Sequence, residues 1–377
     1  MSLYQEINEQ TPEGLRTLER LLALREQLEQ EVPQRNMDDT LLLATWNIRE
    51  FDSPAYGERL KESFYYIAEI ISRFDIVAIQ EVRKDIKAID KLLRILGPHW
   101  DYILSDVTEG SQGNKERMAF VFDTRKVRFG RLAGELVLPP IRQRVDGKTV
   151  YKPVNQLART PFMCGFHAGW TSFMLATVHI IYGKGGANSP ERVEEIKQLA
   201  KFLRERTEDE TAWSRNLILL GDFNIFDTKD QTMKAMVDEG FMIPASLMEL
   251  PSNAKQNKHF DQIAFRIRKD RFEITGNAGV IQFFDTVFRE EDELAYSTYM
   301  GEKYKKDSKG RARDEKSKKN YYITNWRTHQ MSDHLPMWVE FKVNFTDQYL
   351  DAKLRKGAAG TAFMEEINKP EDWSREH

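Results

Sequence analysis

Seven places in this chain set a side chain suited to metal or proton chemistry at the end of an apolar, strand-like run. Asn47, Glu81, His179 and Asp222 each close such a run, while Glu116, Asp261 and the pair Asp333-His334 each open one. In an antiparallel sheet the end of one strand shares an edge with the start of its neighbour, so all seven can meet on one rim. Their types suit a single task. Glu81, Asp222 and Asp333 are hard oxygen donors of the kind that hold Mg²⁺ or Mn²⁺, and Asn47 and Asn224 can bridge metal or phosphate oxygens. His179 and His334 can move protons, and Glu116 and Asp261 are spare acids that could fix a histidine tautomer. Cleavage of a phosphate ester needs that set: a water must lose a proton, the crowded phosphorus must be neutralised, and the leaving oxygen must be protonated or metal-bound.

The elements that must carry these residues can be read coarsely. Residues 217–220, Leu-Ile-Leu-Leu, lead into Gly221-Asp222-Phe223-Asn224, whose spacing puts Asp222 and Asn224 on one side of an extended backbone. Taken alone, Gly, Asp and Asn would only mark a turn. Runs 41–46 and 76–79 read as strands ending at Asn47 and Gln80-Glu81. A polar loop through Gly110 and Gly113 precedes a strand over 118–122, headed by Lys115-Glu116-Arg117. Strands are also expected at 100–104, 162–166, 172–178, 259–265, 272–284 and 336–343, with helices near 56–73, 82–96 and 190–206. Residues 130–156 read as irregular, with turns at Pro139-Pro140 and Asp146-Gly147, and Gly183 to Gly186 as a plain connection. The pattern implies an α/β protein with mostly antiparallel sheets covered by helices. Residues 1–38 read as an added helical arm, capped by Thr11 with Pro12 in its first turn. Leu15, Leu18, Leu22 and Leu28 form a stripe that would pack on the same chain or on a second subunit. Residues 39–345 would form the catalytic unit and 346–377 a polar tail.

Composition narrows the field. A chain of 377 residues with 41% hydrophobic side chains can bury a large core. No apolar run approaches the roughly 20 residues needed to span a bilayer, and the first residues lack the basic and apolar regions of a secretory signal. The expected location is the cytoplasm, with no membrane partner. The single cysteine, Cys164, excludes an internal disulfide framework and an all-cysteine metal site, and its apolar neighbours mark it as packing. A net charge of −3 argues against a protein that binds nucleic acid by global attraction, though not against local phosphate contacts. Residues 303–319 hold nine Lys or Arg against three Asp or Glu. They read either as a solvated loop or as an arm for a polyanion, with Tyr304, Tyr321 and Tyr322 available for base stacking. His99, His167, His259, His329 and His377 lack acidic company and are expected to be structural.

Taken in order, Trp46-Asn47-Ile48-Arg49, Ile79-Gln80-Glu81-Val82-Arg83, Lys115-Glu116-Arg117, Arg159-Thr160-Pro161, Val178-His179, Gly221-Asp222-Phe223-Asn224, Phe260-Asp261-Gln262-Ile263 and Ser332-Asp333-His334-Leu335-Pro336 resemble the motifs of the endonuclease/exonuclease/phosphatase superfamily. The Asn-Ile-Arg-x-Phe opening and the Lys-Glu-Arg and Arg-x-Pro elements are most similar to its deoxyribonuclease I branch. The resemblance covers about residues 41–343. It implies a four-layered α/β sandwich, two stacked mixed sheets flanked by helices. It also implies Glu81 as the principal metal ligand, with Asn47, Asp222, Asn224 and Asp333 around metal and scissile phosphate. His179 with Glu116, and His334 with Asp261, would be the acid and base, and Arg49 and Arg159 phosphate contacts. Arg83 matches a groove-contacting arginine of that branch, while its groove-contacting tyrosine is replaced by Asn114. The implied activity is Mg²⁺- or Mn²⁺-dependent phosphodiester hydrolysis, with DNA as substrate. A phosphatase or phosphodiesterase for a small phosphorylated lipid or inositol phosphate, or a silent binding protein on the same scaffold, would use the same fold.

Overall fold

Alternating burial along strand β1 (Thr40–Phe51) decides the layering. Leu41 and Leu43 enter one apolar cluster and Leu42, Ala44 and Trp46 another, so both faces of the strand are covered. The computed structural model describes residues 4–359 except 52, 55, 110–113 and 269–271, so the loop through Gly110 and Gly113 and the chain beyond 359 lie outside the described residues. Helix α1 (Pro12–Glu31) precedes β1. After it come α2 (Lys61–Ile71), β2 (Ile76–Arg83), α3 (Lys87–Leu96), β3 (Trp100–Leu104), β4 (Glu116–Asp123), β5 (Val127–Glu135), β6 (Ile141–Val145), β7 (Lys148–Lys152), β8 (Phe162–Ala168) and β9 (Thr171–His179). The second half holds α4 (Pro190–Glu208), β10 (Leu217–Asp222), α5 (Gln231–Val237), β11 (Asp261–Arg266), β12 (Glu273–Val280), α6 (Glu293–Tyr296), α7 (Glu302–Lys305), α8 (Glu315–Tyr321), α9 (Arg327–Gln330), β13 (Met337–Lys342) and α10 (Thr346–Ala359).

Two mixed sheets result. One runs β12-β13-β1-β2-β4-β3 with only β1 and β2 parallel; the other runs β11-β10-β9-β8-β5 with only β9 and β10 parallel. Leu43, Ile76 and Phe120 of the first meet Phe166, Leu175 and Ile218 of the second to form the layer between them. Trp46 and Val77 face Leu24, Ile67, Ile70 and Leu92 of α1, α2 and α3 on one outside. Ala176, Leu217 and Leu219 face Ile196, Leu199 and Met236 of α4 and α5 on the other. Each fully buried Leu, Ile or Phe contributes about 1.5–3 kcal/mol, so the four-layered α/β sandwich is held chiefly by apolar burial. Within the middle layer Gln80 Nε2 donates to Thr177 Oγ1 at 2.8 Å, tying together the strand ends that carry Glu81 and His179.

Several expectations change. In α1 the inward stripe is Leu21, Leu24 and Leu28, while Leu15 and Leu22 face outward at 52% and 68% exposure. The helix is fastened to its own chain by Arg16–Glu62 at 2.7 Å, Arg20–Asp292 at 2.9 Å and Arg25–Glu69 at 2.8 Å. Residues 130–156, read as irregular, contain most of β5 and the hairpin β6-β7, which stands apart from both sheets. The basic stretch 303–319 contains part of α7 and α8 rather than an open loop. Its tyrosines Tyr304, Tyr321 and Tyr322 are buried, so they are not available for stacking on a base. Among the described residues no helix is long and apolar enough to cross a membrane.

Candidate active site

Strand register assembles the site. In the second sheet Asp222 on β10 lies opposite His179 on β9 and opposite Asp261 on β11, so three adjacent strands set these residues side by side. In the first sheet Asn47 pairs with Gln80, next to Glu81, and Arg83 pairs with Glu116. Glu81 falls where the β2 register slips on both sides, and its φ of 63° is left-handed, as is that of Asn224 at 52°. A bulge of this kind turns one side chain out of the alternation, here toward the rim. Gly221 has φ 134°, and a Cβ there would collide with the Val178 carbonyl oxygen on the neighbouring strand. Gly221→Ala is therefore expected to destabilise the protein by about 2–5 kcal/mol. Urea denaturation at neutral pH checks this, and an unchanged midpoint would contradict it.

Two histidine–carboxylate pairs converge on one oxygen. His179 Nδ1 lies 2.8 Å from Glu116 Oε1 and its Nε2 is 3.5 Å from Asp222 Oδ2. His334 Nδ1 lies 2.8 Å from Asp261 Oδ2 and its Nε2 is 3.7 Å from the same Asp222 oxygen. Each ring is thus held from behind with its second nitrogen toward a shared point. Burial alone would lower both imidazoles; at His179 the Glu116 carboxylate reverses this and leaves it raised. At His334 burial is likewise overcome, by Asp261 and then Asp222, leaving it well above the usual range. Asp222 also accepts from Asn47 Nδ2 at 3.0 Å and from the Asn224 amide at 2.8 Å. Asn224 Nδ2 donates to the Ile180 carbonyl at 2.8 Å.

The donor set fits a hard divalent cation. Glu81, Glu116 and His179 have ligand atoms within 4.8 Å of one another, and so do Asp222, Asp261 and His334. Asn47 Oδ1 is buried with no hydrogen-bond partner among the described residues, although its Nδ2 holds Glu81 Oε1 at 3.1 Å. An oxygen left over beside a carboxylate is what a cation or a phosphate-bound group would engage. Burial raises the Glu81 carboxyl; His179 opposes this, while Glu116 and Asp333 add to it. Asp333 is the half-exposed member, 3.8 Å from Arg49 Nε, and Arg49 also donates to Tyr56 Oη at 3.3 Å. Arg159, anticipated on a phosphate, is buried with its Nε against Glu116 Oε1, so here it braces the carboxylate behind His179. Arg83 sits outside the cluster, donating to the Asn114 carbonyl at 3.4 Å.

Three supporting residues were given no role from the sequence. Ser252 Oγ donates to Asp261 Oδ2 at 2.8 Å and accepts from the Asp261 amide at 2.8 Å, so it fixes the carboxylate behind His334. Ser332 Oγ donates to the Asn47 carbonyl at 2.6 Å and accepts from the His334 amide at 3.0 Å. Arg192 is fully buried and donates to the carbonyls of Asn224 and Gly186, joining the glycine loop to the Asp222 turn. The available signal for Arg192 was its place on the stripe that continues through Ile196, Leu199 and Leu203 of α4. A cation on an apolar face needs a partner.

His329 is structural, as expected. Its Nε2 donates to the Ser53 carbonyl at 2.8 Å, and burial, aided by Arg59 and Arg49, pushes it down to about 4. The unfolded chain takes up this proton near pH 6.5 and the native chain only near 4, so acidification between those values favours unfolding. Stability is full above about pH 6.5 and falls by about 2 kcal/mol at pH 5. Between pH 7.5 and pH 5, urea denaturation should show His329→Gln losing less stability than wild type, by about that amount. Equal losses would contradict it.

Residues 44–234 match the model of the endonuclease/exonuclease/phosphatase family. A deoxyribonuclease of Thioalkalivibrio sp. (strain K90mix) is 28% identical over 251 residues, covering 64% of this chain and 62% of that protein. Deoxyribonuclease-1 of Rattus norvegicus is 34% identical over 93 residues, 23% of this chain and 32% of that protein. The chain therefore spans less than two thirds of either relative's length. D. rerio TDP2, solved with a single-strand DNA product, superposes with a TM-score of 0.50 at 14% identity, over 81% of this chain and 99% of that one, a likeness of fold. With two mixed sheets, a shared rim of acids and histidines, and a family match over half its length, the chain belongs to the endonuclease/exonuclease/phosphatase family.

Proposed function

We propose that this protein is a divalent-metal-dependent phosphodiesterase that cuts DNA internally, with its chemistry housed in residues 39–345. The observation that carries the reading is the approach of His179 and His334, each backed by its own carboxylate, to a single Asp222 oxygen. A phosphate seated between the rings would have one imidazole to take a proton from water and the other to protonate the leaving oxygen. Glu81 and Asn47, with Asp222, Asn224 and Asp333 around them, would hold Mg²⁺ or Mn²⁺, which when bound neutralises phosphate charge. Asp222 keeps both imidazoles in the field of an anion, and Asn47 and Asn224 fix Asp222. Glu116 and Asp261 set the tautomers, each braced in turn by Arg159 and Ser252. Arg49, beside Asp333, would meet a phosphate oxygen.

DNA is favoured over a small phosphorylated lipid or inositol phosphate by the aromatic margin of the site. Phe260 lies 5.5 Å from the His334 ring, Phe226 5.6 Å from Phe260, and half-exposed Tyr182 5.7 Å from Phe226. Planar faces beside the reacting phosphate suit a nucleobase. The test is a panel of supercoiled plasmid, single-stranded DNA, RNA, inositol phosphates and sphingomyelin, each with Mg²⁺ or chelator. Plasmid cleavage in Mg²⁺ alone is expected. Turnover of a lipid or inositol phosphate with none on nucleic acid would overturn the proposal.

A further inference from the structure

The β6-β7 hairpin has no role in the site described above, yet it rises from the same rim. Glu135 at the end of β5 pairs with Phe162 at the start of β8, the Leu136 amide donates to the Pro161 carbonyl at 2.9 Å, and Leu138 is bonded both ways to the Gln156 side chain. Arg159, against Glu116, lies in the same stem. Lys152 lies seven positions before Arg159, so the hairpin base lies at most about 25 Å away along the chain. That is about seven base pairs of duplex at 3.4 Å per step.

Nothing in the core explains the hairpin. Asp146 and Gly147 have φ of 50° and 76°, the left-handed pair of a two-residue turn, so the strands are properly closed. All ten strand residues are exposed, Tyr151 at 62%. A two-stranded ribbon without a covering layer is marginal in water. Its charge is strongly one-sided: Arg142, Arg144, Lys148 and Lys152 against Asp146 alone, in a chain of net charge −3. Register separates the two faces. Arg142 stands opposite Tyr151 and Arg144 opposite Thr149, so one face presents two guanidinium groups, a phenol and a hydroxyl. The other carries Ile141, Val145 and Val150 with Lys148 and Lys152.

We propose that β6-β7 is a duplex-binding arm, whose Arg142–Arg144–Tyr151 face engages the phosphates and groove of nucleic acid beside the cleavage site. A two-stranded ribbon has the width to enter a major groove, and guanidinium groups suit phosphate. The inference rests on the nucleic-acid reading of the site. Two variants test it: Arg142→Glu with Arg144→Glu, and replacement of residues 141–152 by Gly-Gly. Binding to a fluorescent duplex of about 25 base pairs is followed by anisotropy in chelator at rising KCl. Hydrolysis of bis(4-nitrophenyl) phosphate with Mn²⁺ is measured in parallel. Both variants are expected to bind duplex at least about tenfold more weakly at 0.1 M salt, and the double substitution to flatten the log–log salt slope by about 2. Turnover of the small diester should stay within about twofold. Duplex binding that depends on the two arginines, without cleavage in Mg²⁺, would uphold the arm and sink the nuclease reading. Cleavage with affinity and slope unchanged in both variants would sink the arm alone.

Discussion

Hydrolysis by the His334→Ala protein is expected to be about 10²–10⁴ times slower in kcat, with KM changed less than about threefold. Asp261 holds the imidazole at Nδ1, and the ring's Nε2 is turned to the Asp222 oxygen where the phosphate would sit. Removing it takes away an interaction made as the proton moves and leaves binding groups such as Arg49 in place. Asp261 acts through the ring, so Asp261→Asn should cost less and leave a further mark. Because Asp261 helps hold His334 above the usual imidazole range, its loss should move the pH–rate limb that reports His334 toward lower pH. Steady-state rates across pH on a plasmid or a small diester check both expectations. A His334→Ala kcat within tenfold of wild type would remove this residue from the chemistry.

Glu81→Gln is expected to weaken Mn²⁺ binding by more than about 100-fold, and to make hydrolysis need correspondingly more metal. Gln keeps the shape and one acceptor, so the Glu50 amide, 2.8 Å from Glu81 Oε2, can still find an oxygen. What disappears is the negative charge, and the carboxamide nitrogen cannot bind a cation. Titration calorimetry with Mn²⁺ on the folded variant is the check. A dissociation constant within threefold of wild type would mean that the ion, if bound, is held elsewhere.

Much of the site was legible because apolar runs announce where strands end. Asn47, Glu81, His179 and Asp222 stand where those runs stop, though β1 continues four residues past Asn47; Glu116, Asp261 and His334 stand at or next to the starts of others. Antiparallel pairing brings ends to starts, and the parallel β9-β10 pair brings end to end. The supporting residues were harder for physical reasons. Ser252 lies in a loop held by irregular bonds, its amide donating to the Lys258 carbonyl and its carbonyl accepting from the Leu335 amide, and no period marks such a residue. Arg159 is specified by what it touches in space, forty-three residues from Glu116 in sequence. In the leucine-rich arm two stripes compete, and only packing against α2 selects Leu21, Leu24 and Leu28 over Leu15 and Leu22. The hairpin escaped because both its faces are wet, leaving no core-facing apolar face to mark it as a strand. Tyr304 and Tyr321 sit amid charges that suggest solvent, yet their rings are folded inward while neighbouring Lys and Arg stay outside.

The claim that everything else leans on is that Asp222 and its two flanking histidines form one metal-assisted hydrolytic centre. Nicking of supercoiled plasmid, timed in Mg²⁺ and in chelator for wild type, His179→Ala and Asp222→Ala, addresses it most directly. Nicks should appear only with Mg²⁺ and only in wild type, with both variants slower by at least about 100-fold. Nicking in chelator, or at the wild-type rate in either folded variant, would contradict the account.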